Sequence, residues 1–253
     1  MNTAEHGLTS QRPTVRALVI AAMGDELRPF SDRASDLQRV TEVGAARFQA
    51  GRLAGQDVVL VRSGIGLVNG ASAVLTALHL WQPDLVISVG SAGGMEGKVT
   101  PGDVVVSTEL NYSNADAVAF GYVPGQVPGM PARFPADMAA IERLRMVPGV
   151  VLGPIASGDV FVAGNLLDTI VFEHPDTVAV DMESAAIAQV CYSFEVPFVS
   201  VRGISDMAGP NAGEEFNDNL SSVSQRAAEV VEALLGQGDL APHHHETPQG
   251  AAV

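Results

Sequence analysis

The sequence predicts an α/β protein: a three-layer α/β/α sandwich around a central, mixed but mostly parallel, twisted sheet. Three observations predict it. Apolar runs rich in Val, Ile and Ala alternate with segments of helical spacing, and strands joined by helices form parallel sheets covered on both faces. A turn signal at Ala54-Gly55-Gln56 separates two strand-like runs and adds an antiparallel hairpin. The chain has 253 residues, 47% hydrophobic but only 5% aromatic, enough for one large aliphatic core.

Residues 1–14 are polar without periodicity and read as a disordered extension. One domain then spans 15–235, and 236–253, with Pro242, Pro248 and three adjacent histidines from His243 to His245, reads as a disordered tail. Val15–Ala22 is the first buried strand. Asp25-Glu26 opens the helix behind it, where the helix dipole favours negative charge. Arg47–Leu53 and Asp57–Arg62 form the hairpin. Ser63-Gly64-Ile65-Gly66 turns the chain into a helix from about Asn69 to Trp81, which Pro83 ends. Asp84–Val89 is the next strand, with Gly90-Ser91-Ala92-Gly93-Gly94 at its end, and Asp103–Thr108 is another. The segment 111–138 carries four prolines and reads as a long loop, a length that is usually functional. Strand Val150–Ala156, helix Gly164–Glu173, strand Thr177–Val180, helix Met182–Phe194 and strand Val196–Val201 follow. An amphipathic helix from about Asp218 to Leu235 closes the series.

The formal charge is −15. No basic cluster is present to neutralise phosphates, so neither nucleic acid nor an anionic membrane surface is an expected partner. The lone Cys191 sits in a helix-like apolar stretch and reads as a buried structural thiol. A single cysteine forms no disulfide within one chain, which suits a reducing cytoplasm. No run approaches the ~18–20 apolar residues of a membrane span, and no signal-peptide pattern opens the chain.

Candidate chemistry gathers where strands end. Val180-Asp181-Met182-Glu183 and Arg202-Gly203-Ile204-Ser205-Asp206 each place carboxylates after an apolar run, and Ala22-Met23-Gly24-Asp25-Glu26 repeats the theme. In α/β sheets, ligands bind at the C-terminal ends of strands. Three acidic strand ends suit a site that binds hydroxyls and moves protons, although Glu183 and Glu26 equally suit helix N-termini. The glycine turns at 63–66 and 90–94 allow close backbone approach to a ligand, but neither is a P-loop or a dinucleotide fingerprint. No His or Cys cluster points to zinc. The acids leave a Mg²⁺ site open without defining one, and no Ser/His/Asp set is present. Acid–base chemistry on a hydroxyl-rich, largely neutral molecule remains.

These motifs, in this order, carry a resemblance. Ala-Met-x-x-Glu at 22–26, Ser-Gly-Ile-Gly at 63–66 and Gly-Ser-Ala-Gly-Gly at 90–94 come first. Ala119-Phe120-Gly121-Tyr122, Gly125-Gln126-Val127-Pro128-Gly129 and Ser157-Gly158-Asp159-x-Phe161 follow, before the two acidic segments. The sequence resembles the purine nucleoside phosphorylase/hydrolase superfamily and, more closely, the bacterial 5′-methylthioadenosine/S-adenosylhomocysteine nucleosidases, from about Val15 to Leu235.

The resemblance implies hydrolysis of the N-glycosidic bond of these nucleosides, and of 5′-deoxyadenosine, releasing adenine in methionine salvage. It implies a cytoplasmic homodimer with no cofactor and no metal. Glu26 matches the glutamate that deprotonates the attacking water, and Asp206 the aspartate that serves purine N7. Glu183 matches the clamp on the ribose hydroxyls, with Met182 below the sugar. Phe161 matches the ring stacked on adenine, and Val162 reads the base edge. Met23, Ser91, Asp181 and Phe216 fall among the expected substrate contacts, and Arg202 and Ser205 support the acid loop. Ile65, Phe120, Tyr122 and Pro128 match the 5′-alkylthio pocket, part of which comes from the second subunit.

Departures accompany the match. Asp181 stands where the family usually has Glu, so its contact to ribose is expected to be longer or water-bridged. Gly24-Asp25-Glu26-Leu27-Arg28 echoes a phosphorylase phosphate loop with Glu26 in place of proline, but Ser88 occupies the position of a phosphate-binding arginine. Alternatives are a futalosine or aminodeoxyfutalosine hydrolase, a phosphate-dependent phosphorylase, and a non-catalytic nucleoside-binding protein.

Overall fold

The protein is described here by a computed structural model covering residues 12–238. Residues 1–11 and 239–253, which hold most of the expected extension and tail with His6 and His243–His245, lie outside it. Thr14 already opens the first strand.

The elements run β1 (Thr14–Ala21), α1 (Gly24–Arg33), β2 (Thr41–Val43), β3 (Ala46–Leu53), β4 (Gln56–Arg62), α2 (Leu67–Leu80), β5 (Gln82–Gly94) and β6 (Val104–Tyr112). They continue with β7 (Phe134–Pro135), α3 (Met138–Leu144), β8 (Val150–Ser157), α4 (Asn165–Glu173), β9 (Ala179–Asp181), α5 (Ser184–Ser193), β10 (Phe198–Asp206) and α6 (Ala212–Leu235).

All strands join one mixed sheet with helices on both faces. β1 lies between β4 and β5, parallel to both. Beyond β4, the hairpin partner β3 and then β2 run antiparallel to the edge. On the other side β5 pairs in parallel with β10. Its far end also meets β9 antiparallel, through Gly93↔Val180 and Gly94↔Ala179. Because β10 continues through β6 and β8 to β9, five strands close into a ring. The 13-residue β5 is long enough to serve both neighbours.

Strand alternation explains the two faces. In β1, Leu18 and Ile20 join a core with α2 and α5 residues such as Val74, Leu78 and Ile187. Ala17, Val19 and Ala21 join a second core with Phe30 of α1, Ile141 of α3 and Val231 of α6. Successive side chains of a strand point to opposite faces, so a strand covered on both sides must be apolar throughout. Each large aliphatic side chain buried in this way contributes ~1.5–3 kcal/mol. Cys191 is fully buried on α5, and burial pushes its thiol pKa up.

Several boundaries differ from expectation. β6 extends to Tyr112, shortening the loop after it, which contains a 3-10 turn at Val118–Phe120. α3 was not expected; Asp137 caps it by accepting a bond from the Ala140 amide at 2.8 Å. α6 begins six residues before Asp218, and α5 begins at Ser184 instead of Met182. β9 is only three residues long and includes Asp181.

Candidate active site

The C-terminal ends of β1, β9 and β10 converge beside the glycine-rich end of β5. A cavity of about 360 Å³ opens there.

Glu26 lies in the first turn of α1 and is 2% exposed. Its Oε2 accepts the Met23 amide at 3.0 Å, closing the helix start on itself. Its Oε1 accepts both the amide and the hydroxyl of Ser91 at 2.8 Å each. Three donors from two elements therefore fix the carboxylate at the cavity wall. Gly90 makes this possible. A Cβ there would sit 2.5 Å from Glu26 Oε1 and 2.6 Å from Arg202 Nη1, at a φ of +150°.

Asp206 ends β10 and is also 2% exposed. Its Oδ1 accepts the Ala208 amide at 2.9 Å and its Oδ2 the Ser205 hydroxyl at 2.8 Å. Burial raises its pKa; these two donors oppose the shift, and Glu215 adds to it. The net shift is upward, toward the protonated form that can donate.

Glu183 follows β9 and precedes α5. Its Oε1 accepts the Gly66 amide at 2.9 Å, and its Oε2 lies 3.6 Å from Arg202 Nη2. Burial pushes its pKa up to about 7, with Asp181 and Glu26 adding to the rise against Arg202 and the Gly66 amide.

Phe161 and Phe216 meet edge to face, ring centroids 6.2 Å apart. Met23, Ile65, Ser91, Val162, Met182 and Ser205 line the same cavity, as do Glu26, Asp181, Glu183 and Asp206. Ala92 and Gly93, from the glycine turn at 90–94, line it too, and so does Val160, which was not picked out in the sequence because a lone apolar residue carries no chemical signal of its own.

One expectation needs correction. Arg202 does not brace the Asp206 loop and is not among the cavity-lining residues. It is buried behind the wall, with Nε 2.8 Å from Asp181 Oδ2 and Nη2 2.8 Å from the Ser88 hydroxyl. Burial lowers its pKa, but Asp181, Glu183 and Glu26 outweigh that and hold it above the ordinary range. A register shift between Ile204 and Asp206 separates the directions of the two side chains. Asp181 in turn is occupied by the protein. Its Oδ1 takes the Ser157 hydroxyl at 2.5 Å and the Ser184 amide at 3.2 Å, while Oδ2 holds Arg202 and the Ser184 hydroxyl. Asp181 therefore anchors Arg202 while still lining the cavity.

Phe120, Tyr122 and Pro128 do not line this cavity; they stand on the loop after β6, with Phe120 84% exposed. Among the described residues no cluster of metal-ligating side chains occurs.

The arrangement can bind a flat ring between Phe161 and the wall, hold hydroxyls at Glu183, deliver a proton from Asp206 and accept one at Glu26. The chain is similar to known proteins over most of its length. Residues 16–236 match the phosphorylase superfamily. A 5′-methylthioadenosine/S-adenosylhomocysteine nucleosidase from Anoxybacillus flavithermus is 39% identical over 226 residues, covering 87% of this chain and 97% of that protein. The structure of the nucleosidase of that name from S. pneumoniae, with the transition-state inhibitor MT-ImmA, is similar with a TM-score of 0.82 at 33% identity, covering 87% of this chain and 98% of that one. The Neisseria meningitidis nucleosidase, in complex with methylthio-immucillin-A, gives 0.81 at 37% identity, covering 88% and 98%.

Proposed function

We infer that this chain, which belongs to the 5′-methylthioadenosine/S-adenosylhomocysteine nucleosidase family of the phosphorylase superfamily, hydrolyses the N-glycosidic bond of those two nucleosides. The products are adenine and the 5-thioribose, in methionine salvage and recycling of S-adenosylmethionine by-products. One observation carries the choice of water over phosphate: Glu26, Asp181, Glu183 and Asp206 all line the cavity, and among the described residues no Lys, Arg or His does. A phosphate nucleophile needs cations, typically arginine. Arg28, from the loop that echoes a phosphorylase, is exposed and pairs with Asp25 at 2.6 Å.

The chemistry assigns each group a task. As C1′–N9 breaks, positive charge grows on the ribose and negative charge on the base. Asp206 gives its proton to N7, so adenine leaves neutral. Glu26 takes a proton from the water whose oxygen forms the new bond to C1′, and its charge stabilises the cationic sugar. General acid–base assistance of this kind contributes typically 10²–10⁴-fold. Glu183 holds the ribose hydroxyls above Met182, Phe161 stacks on adenine with Phe216 at its edge, and the Val162 backbone reads the base.

Ile65, half exposed at the cavity mouth, begins the 5′-thio pocket. Phe120, Tyr122 and Pro128 complete it across a homodimer, a reading supported by their position outside this protomer's cavity and by the exposed apolar Val118, Phe120 and Val123. The catalytic unit is a single domain over 15–235. A cytoplasmic location belongs to the same reading; no described helix is long and apolar enough to cross a membrane.

The test is adenine release from methylthioadenosine, adenosylhomocysteine and aminodeoxyfutalosine in phosphate-free buffer. Release from the first two at a rate that added phosphate leaves unchanged is expected. A phosphate requirement with formation of a ribose 1-phosphate would overturn hydrolysis, and exclusive cleavage of aminodeoxyfutalosine would overturn the substrate assignment.

A further inference from the structure

The segment 158–164 joins β8 to α4 and carries Val160, Phe161 and Val162, all on the cavity wall. It has no regular secondary structure; Val162 packs with Met95, Ala156, Ile170 and Val180, whereas Phe161 is exposed and meets only the edge of Phe216 among the aromatic rings. Across the cavity mouth, Ile65 lines the wall just before α2. The N-cap of α2 is Gly66, which has no side chain with which to satisfy the helix's first amides.

Carboxylates from two distant segments satisfy them instead. The Gly66 amide donates to Glu183 Oε1 at 2.9 Å, and the Leu67 amide donates to Asp159 Oδ1 at 2.7 Å. Gly66 is tightly shaped to this contact. Its φ is +104°, and a Cβ there would lie 2.8 Å from Asp159 Oδ1. Asp159 is exposed and does not line the cavity. Its carboxylate therefore bonds the helix start from outside, where the positive end of the helix dipole favours it.

We propose that Asp159 is a positioning residue: its bond to the Leu67 amide clamps the segment bearing Phe161 and Val162 onto α2 and thereby sets the affinity for the adenine ring. The proposal rests on Phe161 and Val162 binding adenine, as inferred above. Glu26 and Asp206 hang on α1 and β10 and are held by other donors, so the clamp acts on binding more than on bond cleavage. Without it, a ligand must order the segment itself, which weakens binding.

The bond can be cut from either side. Asp159→Ala removes the acceptor. Leu67→Pro removes the donor at the first helical position, where proline is tolerated, behind a Gly66 whose ψ of 160° suits a residue preceding proline. Each variant should raise the KM for methylthioadenosine and the Kd for adenine, measured by calorimetry, about tenfold, the scale of one charge-assisted hydrogen bond. kcat should stay within about threefold, because the transition-state groups are untouched. The double variant should be no worse than the weaker single, since both substitutions cut one bond. Asp159→Asn keeps an acceptor oxygen but loses the charge, so its affinity should fall between those of the unaltered protein and Asp159→Ala. Additive losses, unchanged adenine affinity in folded Leu67→Pro, or a kcat loss without a change in KM would overturn the clamp. Failure of the unaltered protein to release adenine would overturn the proposed function instead, while the adenine-binding cycle would still judge the clamp.

Discussion

Replacing Gly90 with alanine inserts a methyl group between two of the most firmly held side chains of the site. The added carbon would stand 2.5 Å from Glu26 Oε1, 2.9 Å from Glu26 Cδ and 2.6 Å from Arg202 Nη1. Carbon contacts are comfortable only beyond about 3.5 Å, so one or both groups must retreat by about 1 Å. Neither can do so freely. Glu26 is tied to Met23 and Ser91, and Arg202 is buried and tied to Asp181. Overpacking and the positive φ together cost roughly 2–4 kcal/mol, lowering the melting temperature by about 5–15 °C for a domain of this size. A displacement of that size at a catalytic carboxylate lowers turnover by about 10²-fold. Adenine release from methylthioadenosine and a thermal melt, measured on the same preparation, check both numbers. A Gly90→Ala protein that turns over and melts like the unaltered one would refute the placement of Glu26 against β5.

Ser91→Ala removes one of the two bonds on Glu26 Oε1 and leaves the amide bond. Turnover should fall by about tenfold, less than for Gly90→Ala, as expected for one hydrogen bond to a charged group; kinetics with methylthioadenosine check this. Glu183 keeps its proton in the folded state up to about pH 7, where an unfolded glutamate has released it near pH 4.5. The native state therefore binds more protons across that window, and stability declines as pH rises through it. Glu183→Gln should flatten the decline and be more stable than the unaltered protein at pH 8 by roughly 1–3 kcal/mol, read from urea unfolding at pH 5 and 8. Equal pH slopes in the two proteins would contradict the burial of an acid there.

The acids were legible because each follows an apolar run, and the C-terminal ends of parallel strands such as β1, β5 and β10 meet at one edge; β9, antiparallel to β5, reaches it by pairing with the far end of that strand. Glu26, Asp181, Glu183 and Asp206 accordingly share one cavity. The closure of β5, β10, β6, β8 and β9 into a ring was not legible, since it depends on two short antiparallel contacts at Gly93 and Gly94. The direction of Arg202 was hidden for a related reason. A register shift in β10 leaves no mark in residue identities, and the proximity of residues 202 and 206 in the chain suggested a contact that the fold does not make. α3 escaped notice because its apolar face is only seven residues long and follows a proline-rich stretch; Asp137 was the one signal. The early start of α6 was masked by Gly213 and two acids, which read as loop yet suit a helix N-terminus. Asp159 was visible as part of a motif, but its partner Leu67 lies 92 residues away, beyond any local pattern.

Turnover of Glu26→Gln and Asp206→Asn on methylthioadenosine tests the pairing of an ionised base with a proton-bearing acid most directly. Each kcat should fall by at least about 10²-fold, because each group acts in the transition state. Near-normal turnover in either variant would remove that residue from the mechanism.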